Sequence, residues 1–311
     1  MIQTSLVIIT PVYEDTESFY QLAQKIESIY QDQVTLVAVE DGSLHQLIEL
    51  KLCPTTMHVH ILRLKRNVGH QKAIAIGLSY LEDKIIDSAK VVIMDSDGED
   101  RPETINELTK SIEQDNVDIA VSSRKSRVES FKFKLFYQVY RLIFKLLTGH
   151  NIRFGNFMAL KLNALKRLLT YPELPTHFAG TVILSKCRIN SVPIDRGPRY
   201  AGQSKMNFSG LVLHGLKALM IFGEFVLVRL GLASLIFIGV VITVIMVSIF
   251  IKSIGMATPG WFSIALGLMT LLLIQIAAFV LMFLMQMGNK HHASDFAKDW
   301  LKLIANIDSN H

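Results

Sequence analysis

The part of the sequence best suited to chemistry is an acidic cluster at residues 91–103. The stretch VVIMDSDGEDRPE runs from apolar residues directly into Asp95, Asp97, Glu99 and Asp100. A solvated turn is one explanation for such a cluster. Carboxylates spaced as D-x-D on a rigid edge are also how proteins hold Mg²⁺ or Mn²⁺ beside a phosphate. The cluster therefore predicts a divalent-metal site, with Asp97 as the main ligand, Glu99 as the second, and Asp95 near a ribose or supporting the metal.

Two further polar stretches have residue types that a nucleotide requires. PVYED offers main-chain groups and the ring of Tyr13 for a base, and EDGS offers Glu40 and Asp41 for the base and ribose edge. An ordinary turn is the alternative for EDGS. The chain has no G-x-G-x-x-G after its first apolar run and no Walker A pattern, so the usual glycine-rich phosphate loops are excluded.

Basic residues that suit phosphate binding occur in two places. GPRYAGQSK at 197–205 contains Arg199, Ser204 and Lys205, and SSRKSR contains Arg124. Arginine binds phosphate through two parallel hydrogen bonds, whereas lysine acts as a point charge. A basic juxtamembrane linker is the alternative for the first stretch, and contact with lipid headgroups is the alternative for the second.

Apolar runs and helical patterns alternate over the first 125 residues. Strands are predicted at 5–12, 34–39, 59–64, 90–94 and 118–122, and helices at 16–30, part of 44–51, 70–84 and 102–114. This alternation predicts an α/β fold with a mainly parallel, Rossmann-like sheet covered on both faces. Ligands bind such sheets at the carboxyl ends of the strands. The polar stretches all follow predicted strands, so we expect them to share one site.

The last third of the chain has a different composition. Half of all residues are hydrophobic and 19% are charged, and the apolar excess lies after residue 206. The segments 231–251 and 261–287 are uncharged and long enough to cross a hydrocarbon core as helices. A buried core helix is the alternative for either segment. Because a Pro-Gly turn separates the two, they predict a transmembrane hairpin.

The distribution of lysines predicts the orientation of this hairpin. The connection 252–260 holds one lysine, whereas the tail holds Lys290, Lys298 and Lys302. By the positive-inside rule both termini then face the cytoplasm. The predicted location is the inner (cytoplasmic) membrane, which the chain crosses more than once.

The cysteines, the N-terminus and the net charge indicate in which compartment the protein works and what it binds. Cys53 and Cys187 have neither metal-site spacing nor a disulfide framework, as expected in a reducing compartment. The N-terminus lacks the charged region of a signal peptide. The net charge of +5 is modest, and no basic array interleaved with aromatic residues marks a nucleic-acid-binding module. Membrane lipids, and not nucleic acid, are therefore the predicted partners of the basic residues.

Two helical stretches are predicted between the α/β domain and the hairpin. Residues 130–148 place apolar and basic residues on different helical faces. This pattern suits an interfacial helix on the bilayer, with packing on the soluble core as the alternative. The predicted organisation is a cytoplasmic domain 1–206, a juxtamembrane helix 207–229, two spans within 230–288 and a cytoplasmic tail 289–311.

The order of these motifs resembles a known family. P-V-Y at 11–13, E-D-G-S at 40–43, N-x-G at 67–69 and D-S-D at 95–97 resemble family 2 glycosyltransferases of the GT-A fold. S-R at 123–124, R-x-x-G-x-S-K at 199–205 and the two-span C-terminus are similar to the polyprenyl-phosphate branch. That branch includes dolichyl-phosphate mannose synthases and bactoprenol glucosyltransferases. The resemblance extends over about residues 5–287.

The resemblance implies a role for each matching residue. The nucleotide would be lined by Pro11, Tyr13, Asp15, Glu40 and Asp41. The metal and the diphosphate would be held by Asp95, Ser96, Asp97 and Glu99. The donor or acceptor phosphates would meet Arg124, Arg199 and Lys205, with Ser204 in the same loop.

The resemblance also implies a reaction. It is the inverting transfer of a sugar from a nucleotide-diphosphate sugar to a polyprenyl phosphate of the undecaprenyl or dolichyl type, at the cytoplasmic leaflet. The cofactor would be Mg²⁺ or Mn²⁺, and the enzyme would often be a homo-oligomer. A lipid-linked glycan or a glycerolipid is an alternative acceptor. A non-catalytic, nucleotide-sugar-binding partner of a flippase is the alternative from another class, and the intact acidic set at 95–99 favours the enzyme.

Three motifs depart from the family pattern. Glu14-Asp15 stands where N-E is usual, Glu40 where the first Asp of D-D-G-S is usual, and Asn156 where many bactoprenol members have the Asp of G-D-F. A lipid phosphate is already ionised near neutral pH and needs no strong base. The departures therefore bear on the identity of the sugar more than on catalysis.

Overall fold

The computed structural model of the chain describes residues 2–123, 131–201, 208–256, 260–288 and 296–310. The chain forms two compact units. One consists of 1–133, 152–221 and 294–311, and the other of 134–151 and 222–293. We call the first the sheet unit and the second the apolar unit. The chain leaves the sheet unit twice and returns to it each time.

One mixed sheet forms the centre of the sheet unit. Its described strands are β1 (Leu6–Val12), β2 (Val34–Glu40), β3 (His58–Leu64), β4 (Lys90–Ile93), β5 (Ile119–Ser123), β6 (Phe154–Lys161), β7 (Ile189–Pro193) and β8 (Ile304–Ser309). Their order across the sheet is β7-β5-β6-β4-β1-β2-β3-β8. Strand β6 is antiparallel to β4 and β5, and β8 is antiparallel to β3. The other pairs are parallel, which confirms the predicted mainly parallel α/β fold.

Helices cover both faces of this sheet. They are α1 (Thr16–Tyr30), α2 (His70–Leu81), α3 (Ile105–Ile112), α5 (Leu162–Leu169), α6 (Phe178–Leu184) and α10 (Phe296–Leu301). Helix α7 (Phe208–Ile221) lies against α6. Neighbouring residues of a strand point to opposite faces. Ile8 accordingly belongs to a core with Phe19 of α1, and Ile9 belongs to a second core with Phe178 of α6. Strands β1 and β2 are buried along their whole length, which explains their continuous apolar sequence.

The helix predicted within 44–51 is wrong apart from one short turn. The structure has a 3₁₀ turn at Leu50–Leu52 and an irregular loop before it. The reason is local, because the carboxylate of Glu14 accepts the main-chain N–H groups of Leu44, His45 and Gln46. N–H groups bound to a side chain in this way hold the backbone outside a helix.

The apolar unit contains α4 (Phe131–Thr148) from residue 134 onward, together with α8 (Gly223–Ser253) and α9 (Trp261–Gly288). Gly223–Ser253 and Trp261–Met282 are long and apolar enough to cross a membrane, with mean hydropathies of 2.9 and 2.6. Inside this unit, Phe222 packs edge-on against Phe144, with ring centroids 5.6 Å apart. Arg229 donates to the carbonyl of Leu146 at 2.7 Å. These contacts join the end of α4 to the start of α8.

Candidate active site

The strand order places the candidate site at one edge of the sheet. Strands β2 and β4 lie on opposite sides of β1, so the chain changes direction across the sheet between β1 and β4. Parallel α/β sheets bind ligands in the crevice at such a switch point, outside the carboxyl ends of the strands. Here Ser96 Oγ, after β4, donates to the carbonyl of Pro11, in β1, at 3.4 Å. The predicted residues after β1 and β4 therefore meet.

The acidic cluster forms a tight turn at this edge. Asp100 Oδ2 accepts the main-chain N–H of Asp95 at 2.9 Å, and Asp97 Oδ1 accepts that of Glu99 at 3.0 Å. Gly98 at the tip has φ of 88°, a conformation that residues with a side chain rarely adopt. The turn thus holds its carboxylates in fixed positions before any ligand binds.

A loop from much later in the chain lies on this turn. Gly197 donates its N–H to the carbonyl of Glu99 at 2.9 Å, and Tyr200 donates its N–H to the carbonyl of Asp97 at 2.8 Å. The Tyr200 ring lies over Gly98, where an added Cβ would be 2.7 Å from a ring carbon. These contacts bring the predicted phosphate-binding loop to the predicted metal-binding turn.

Two arginines of that loop contact the acidic side chains. Arg199 Nη2 lies 2.8 Å from Asp97 Oδ2, and its Nε lies 2.9 Å from Glu99 Oε1. Arg196 pairs with the other carboxylate oxygen of Glu99. Sequence reasoning predicted Arg199 but missed Arg196, although Arg196 lies only three positions earlier in DRGPR. Its position in the same basic loop was the available signal.

The charges in the turn act strongly on one another. Burial raises the pKa of Asp97, and the charge of Asp95 raises it further. Burial also opposes ionisation of Asp95, but His70 and then Arg196 and Arg199 outweigh it and lower the pKa of Asp95. The rise that the charge of Asp95 causes in the pKa of Asp97 reflects repulsion between two like charges. A cation placed between them would relieve that repulsion.

The residues present fit a divalent ion that is shared with a substrate. Within the described part of the chain, Asp95 Oδ1 is buried and accepts no hydrogen bond of good geometry, although His70 Nε2 lies 3.2 Å from it. No three acidic, histidine or cysteine side chains converge on one point among the described residues. Mg²⁺ commonly takes only one or two protein carboxylates and completes its shell with phosphate oxygens and water. Asp95 and Asp97 can supply that pair, although Arg199 also contacts Asp97. Glu99 is paired with two arginines, Arg196 and Arg199.

A side-chain network beside Asp95 was not predicted. Phe178 donates its N–H to Gln71 Oε1 at 2.6 Å, and Gln71 Nε2 donates to Asn156 Oδ1 at 3.2 Å. Asn156 Nδ2 then lies 2.9 Å from His70 Nε2. That nitrogen accepts from Asn156 when it carries no proton, and it can donate toward Asp95 when it carries one. Burial lowers the pKa of His70, but Asp95 outweighs burial and the net direction is upward.

The residues predicted for the nucleotide lie along the neighbouring strand ends. Tyr13, which directly follows β1, is exposed. Asp41 accepts the N–H groups of Val68 and Gly69 at 2.7 and 2.9 Å, and burial raises its pKa. Glu40 pairs with Arg63 of β3. Asp15 caps α1 by accepting the N–H of Ser18 at 3.4 Å. Direct contact of these side chains with a nucleotide stays a prediction.

Glu14 has a role that the sequence did not reveal. Its φ of 46° lies in the left-handed region, and its carboxylate accepts from Leu44, His45 and Gln46 at 2.6, 3.2 and 3.0 Å. The N–H of Leu44, followed by the other two, lowers the pKa of Glu14 despite an opposing effect of desolvation. Glu14 thus fastens the loop after β2 to the end of β1.

Comparison with known proteins identifies the family. Glycosyl transferase family 2 matches residues 7–175, which is more than half of the chain. The chain belongs to glycosyl transferase family 2. The matched segment contains the acidic turn and the strand ends around it, whereas Arg196, Arg199 and the apolar hairpin lie beyond it.

Two relatives of this glycosyltransferase are uncharacterized glycosyltransferases. With sll0501 of Synechocystis sp., it is 28% identical over 215 residues, which are 65% of this chain and 64% of that one. With YkoT of Bacillus subtilis, it is 24% identical over 291 residues, which are 86% of this chain and 82% of that one. The match thus spans less than two thirds of the first of these relatives.

A solved structure supports the fold of this glycosyltransferase. Glucosyl-3-phosphoglycerate synthase from Mycobacterium tuberculosis, in complex with Mn²⁺ and UDP-glucose, superposes with a TM-score of 0.52. The two are 13% identical over 71% of this chain and 79% of that one. Likeness at this identity concerns the fold alone, and it confirms the predicted GT-A fold.

Three predicted site residues of this glycosyltransferase lie outside the residues that the structure describes. They are Arg124, Ser204 and Lys205. Their roles stay predictions that follow from the sequence resemblance.

We expect Gly98→Ala to detach the loop 195–200 from the acidic turn. A methyl group at φ of 88° is strained and would lie 2.7 Å from the Tyr200 ring. Strain of this kind costs about 1–3 kcal/mol, enough to open the contact roughly tenfold more often. Hydrogen exchange at the amides of Gly197 and Tyr200 measures this opening. Gly155→Ala is the matched control, because its added Cβ meets nothing within 4 Å; equal exchange in Gly98→Ala and this control would contradict the expectation.

Proposed function

We propose that this protein transfers a sugar from a nucleotide-diphosphate sugar to a polyprenyl phosphate at the cytoplasmic face of a membrane. The observation that carries the proposal is the pairing of Asp97 and Glu99 with Arg196 and Arg199, in the turn that also holds Asp95, at the switch point of a family 2 domain. Carboxylates suit a metal and arginines suit phosphate, and a nucleotide-diphosphate donor brings both requirements to one place. The structural relative crystallised with Mn²⁺ and UDP-glucose supports a donor and a metal of this class.

The chain's own residues would stabilise the departing diphosphate. In the structure Asp97 and Glu99 neutralise Arg199. A metal held by Asp95 and Asp97 together with the diphosphate would act as a Lewis acid on the leaving group. Arg196 and Arg199 would then turn from the carboxylates to phosphate oxygens, which match the fork of a guanidinium. Once the donor is bound, these guanidinium groups would lie where negative charge develops on the departing diphosphate, and donors placed there lower the barrier.

The acceptor would need little help to become nucleophilic. A phosphate monoester has its second pKa near 6, so it is largely dianionic at neutral pH. Its oxygen can attack the anomeric carbon directly and invert the configuration. Asn156, whose amide contacts His70, is not a proton acceptor, and this absence of basicity is compatible with an acceptor that is already ionised.

The path of the chain supports a hairpin across the membrane. The sheet unit includes residues up to 221 and again from 294, and β8 pairs with β3. A segment that leaves and returns to one body on one side of a membrane must cross an even number of times. Helices α8 and α9 supply two crossings. Both segments are therefore on one side, and the lysines of the tail predict that this side is the cytoplasm. The proposed organisation keeps domain 1–206 and tail 289–311 in the cytoplasm, at the inner membrane.

Helix α4 supports an interfacial position. Leu142 and Leu146 are 68% and 69% exposed, and Arg141 and Lys145 lie on the same helix. An amphipathic helix of this composition lies in the headgroup region with its apolar face in the acyl boundary. The proposal places α4 there, near an acceptor whose phosphate is at the same depth. A homo-oligomeric assembly stays a prediction.

An acceptor panel tests this function. Purified full-length protein with Mn²⁺ would be given UDP-, GDP- and dTDP-sugars labelled in the sugar, with undecaprenyl phosphate, a lipid-linked glycan or diacylglycerol. We expect label in the lipid phase with undecaprenyl phosphate alone. Label on the glycan or on diacylglycerol would establish one of the alternative acceptors. Binding of a nucleotide sugar with no transfer to any lipid would favour the non-catalytic partner of a flippase.

A further inference from the structure

The end of the chain is built into the edge of the catalytic sheet. After α9 the chain forms α10 and then β8, which is antiparallel to β3. Trp300 of α10 is 5% exposed and belongs to the core beside α2. The N–H of Lys65 donates to the carbonyl of Leu303 at 2.9 Å. Asn310 Oδ1 accepts the N–H of Val59 at 2.8 Å. This segment lies well outside residues 7–175, the part that matches the family.

One side chain of β8 is linked to the candidate nucleotide site through an arginine. Arg63 Nε donates to Asp308 Oδ2 at 2.8 Å. The same guanidinium pairs through Nη1 with Glu40 Oε2 and donates through Nη2 to the carbonyl of Ile48 at 2.6 Å. Glu40 is 1% exposed, and its other oxygen accepts the N–H of Ile48 at 2.7 Å. Arg63 and Glu40 together hold both main-chain groups of Ile48.

Ile48 lies near the end of the loop that follows β2, which we call the β2 loop (residues 41–48). Its first residue, Asp41, accepts the N–H groups of Val68 and Gly69. Its middle is fastened to Glu14 of the β1 end. The β2 loop thus has three attachments and borders the edge at which the nucleotide is proposed to bind. The attachment at Ile48 depends on a residue of the C-terminal strand.

The position of Arg63 explains this dependence. Its side chain is 24% exposed and stands between two carboxylates, those of Glu40 and Asp308. Planar guanidinium groups keep a fixed orientation when each edge has its own acceptor. An amide in place of the Asp308 carboxylate would leave the Nε side of Arg63 with only a weaker, neutral acceptor. The angle at which Nη1 and Nη2 reach Glu40 and Ile48 would then be less firmly fixed. Asp308 is itself held, because its Oδ1 accepts from Asn306 Nδ2 at 2.7 Å.

We propose that the C-terminal strand is part of the donor site, and that Asp308 is a positioning residue which holds the β2 loop in its nucleotide-binding shape through Arg63. The inference rests on the proposed function, because it requires a nucleotide at this edge. It assigns to the residues that follow the hairpin a role in binding the donor, in addition to completing the sheet.

The test compares Asp308→Asn with the matched control Asp299→Asn in the full-length protein. Asp299 is also in the tail and also pairs with a basic side chain, but its partner Lys302 is exposed and contacts no residue of the β2 loop in the described structure. UDP with Mn²⁺ is the probe, and its affinity is measured calorimetrically. We expect Asp308→Asn to weaken UDP binding at least about fivefold and to raise KM for the donor with kcat within twofold. Asp308→Glu should recover part of the affinity, and Asp299→Asn should match the parent.

Hydrogen exchange gives a second readout that needs no ligand. We expect the amide of Ile48 to exchange faster in Asp308→Asn, while the amides of Val68 and Gly69, bound to Asp41, keep their rates. Unchanged UDP affinity would overturn the inference, and so would loss of kcat with general unfolding, which would indicate a merely structural residue. Failure of the parent itself to bind UDP or any other nucleotide of the donor panel would overturn the proposed function and the inference together.

Discussion

Asp97→Asn is expected to lower kcat about a thousandfold while leaving the fold intact. The loss corresponds to about 4 kcal/mol of transition-state stabilisation. The substitution removes half of the carboxylate pair that would hold the metal against the leaving diphosphate. It keeps the amide oxygen that can still accept the N–H of Glu99, now at 3.0 Å from Asp97 Oδ1, so the turn should keep its shape. Sugar transfer to lipid, followed over a range of Mn²⁺ concentrations, measures the effect.

Glu103→Gln is the matched control for this variant. Glu103 follows the same turn but is exposed, with Lys25 at 3.7 Å and Arg101 at 3.8 Å as its partners. We expect the control to keep the parent's rate. Near-parent activity in Asp97→Asn, or full activity of the parent in excess EDTA, would contradict the metal site.

Arg199→Lys is expected to lower kcat/KM at least about tenfold, or about 1.4 kcal/mol. Arg199 presents Nη2 to Asp97 and Nε to Glu99, and in the proposed reaction the same fork meets phosphate oxygens. An ammonium group keeps the charge but cannot offer two donors in one plane. General attraction to anionic lipid, at about 1 kcal/mol per basic residue, would hardly distinguish the two side chains. Steady-state kinetics with saturating acceptor measures the effect.

The control here is Arg188→Lys. Arg188 also binds a carboxylate through two nitrogens, at 3.0 and 2.6 Å from the oxygens of Asp118. This pair is exposed on the Arg188 side and lies at the amino ends of the parallel strands β5 and β7, away from the carboxyl ends that carry the site. Arg188→Lys should retain full activity. If Arg199→Lys is as active as this control, the arginine does not act on phosphate and the proposed role of the loop is wrong.

The strands that carry the site could be predicted because their sequences leave few alternatives. Strands β1 and β2 are continuous apolar runs, and such runs followed by polar residues indicate buried parallel strands and their carboxyl ends. The prediction that the polar ends share one edge needs no knowledge of strand order. The predicted helix 16–30 agrees with α1, Thr16–Tyr30, since its apolar residues recur at helical spacing.

Strands β6 and β8 could not be predicted in the same way. Strand β6 enters the sheet between β4 and β5, antiparallel to both, so its place depends on long-range packing. Strand β8 is exposed along most of its length and gives little hydrophobic signal. The ion pair of Asp308 with Arg63 joins residues far apart in sequence, and charge alone does not specify such a partner.

The partners of the phosphate-binding loop could not be predicted from the sequence either. Arg199 could be singled out because arginine in a glycine-containing loop suits phosphate. The sequence could not show that Asp97 and Glu99 would be its partners in the protein alone. That pairing follows from the main-chain contacts of Gly197 and Tyr200 with the acidic turn. Opposite charges brought together in a half-buried turn pair with each other until a ligand replaces one of them.

The most direct test of the central claim is the identity of both products of one reaction. The purified protein would be incubated with undecaprenyl phosphate and its active nucleotide sugar, and the released nucleotide and the lipid would be measured together by chromatography and mass spectrometry. We expect one nucleoside diphosphate for each lipid product, with a lipid mass equal to undecaprenyl phosphate plus one sugar residue. Release of a nucleoside monophosphate with a sugar diphosphate lipid, or of nucleotide with no lipid product, would contradict glycosyl transfer to a lipid phosphate.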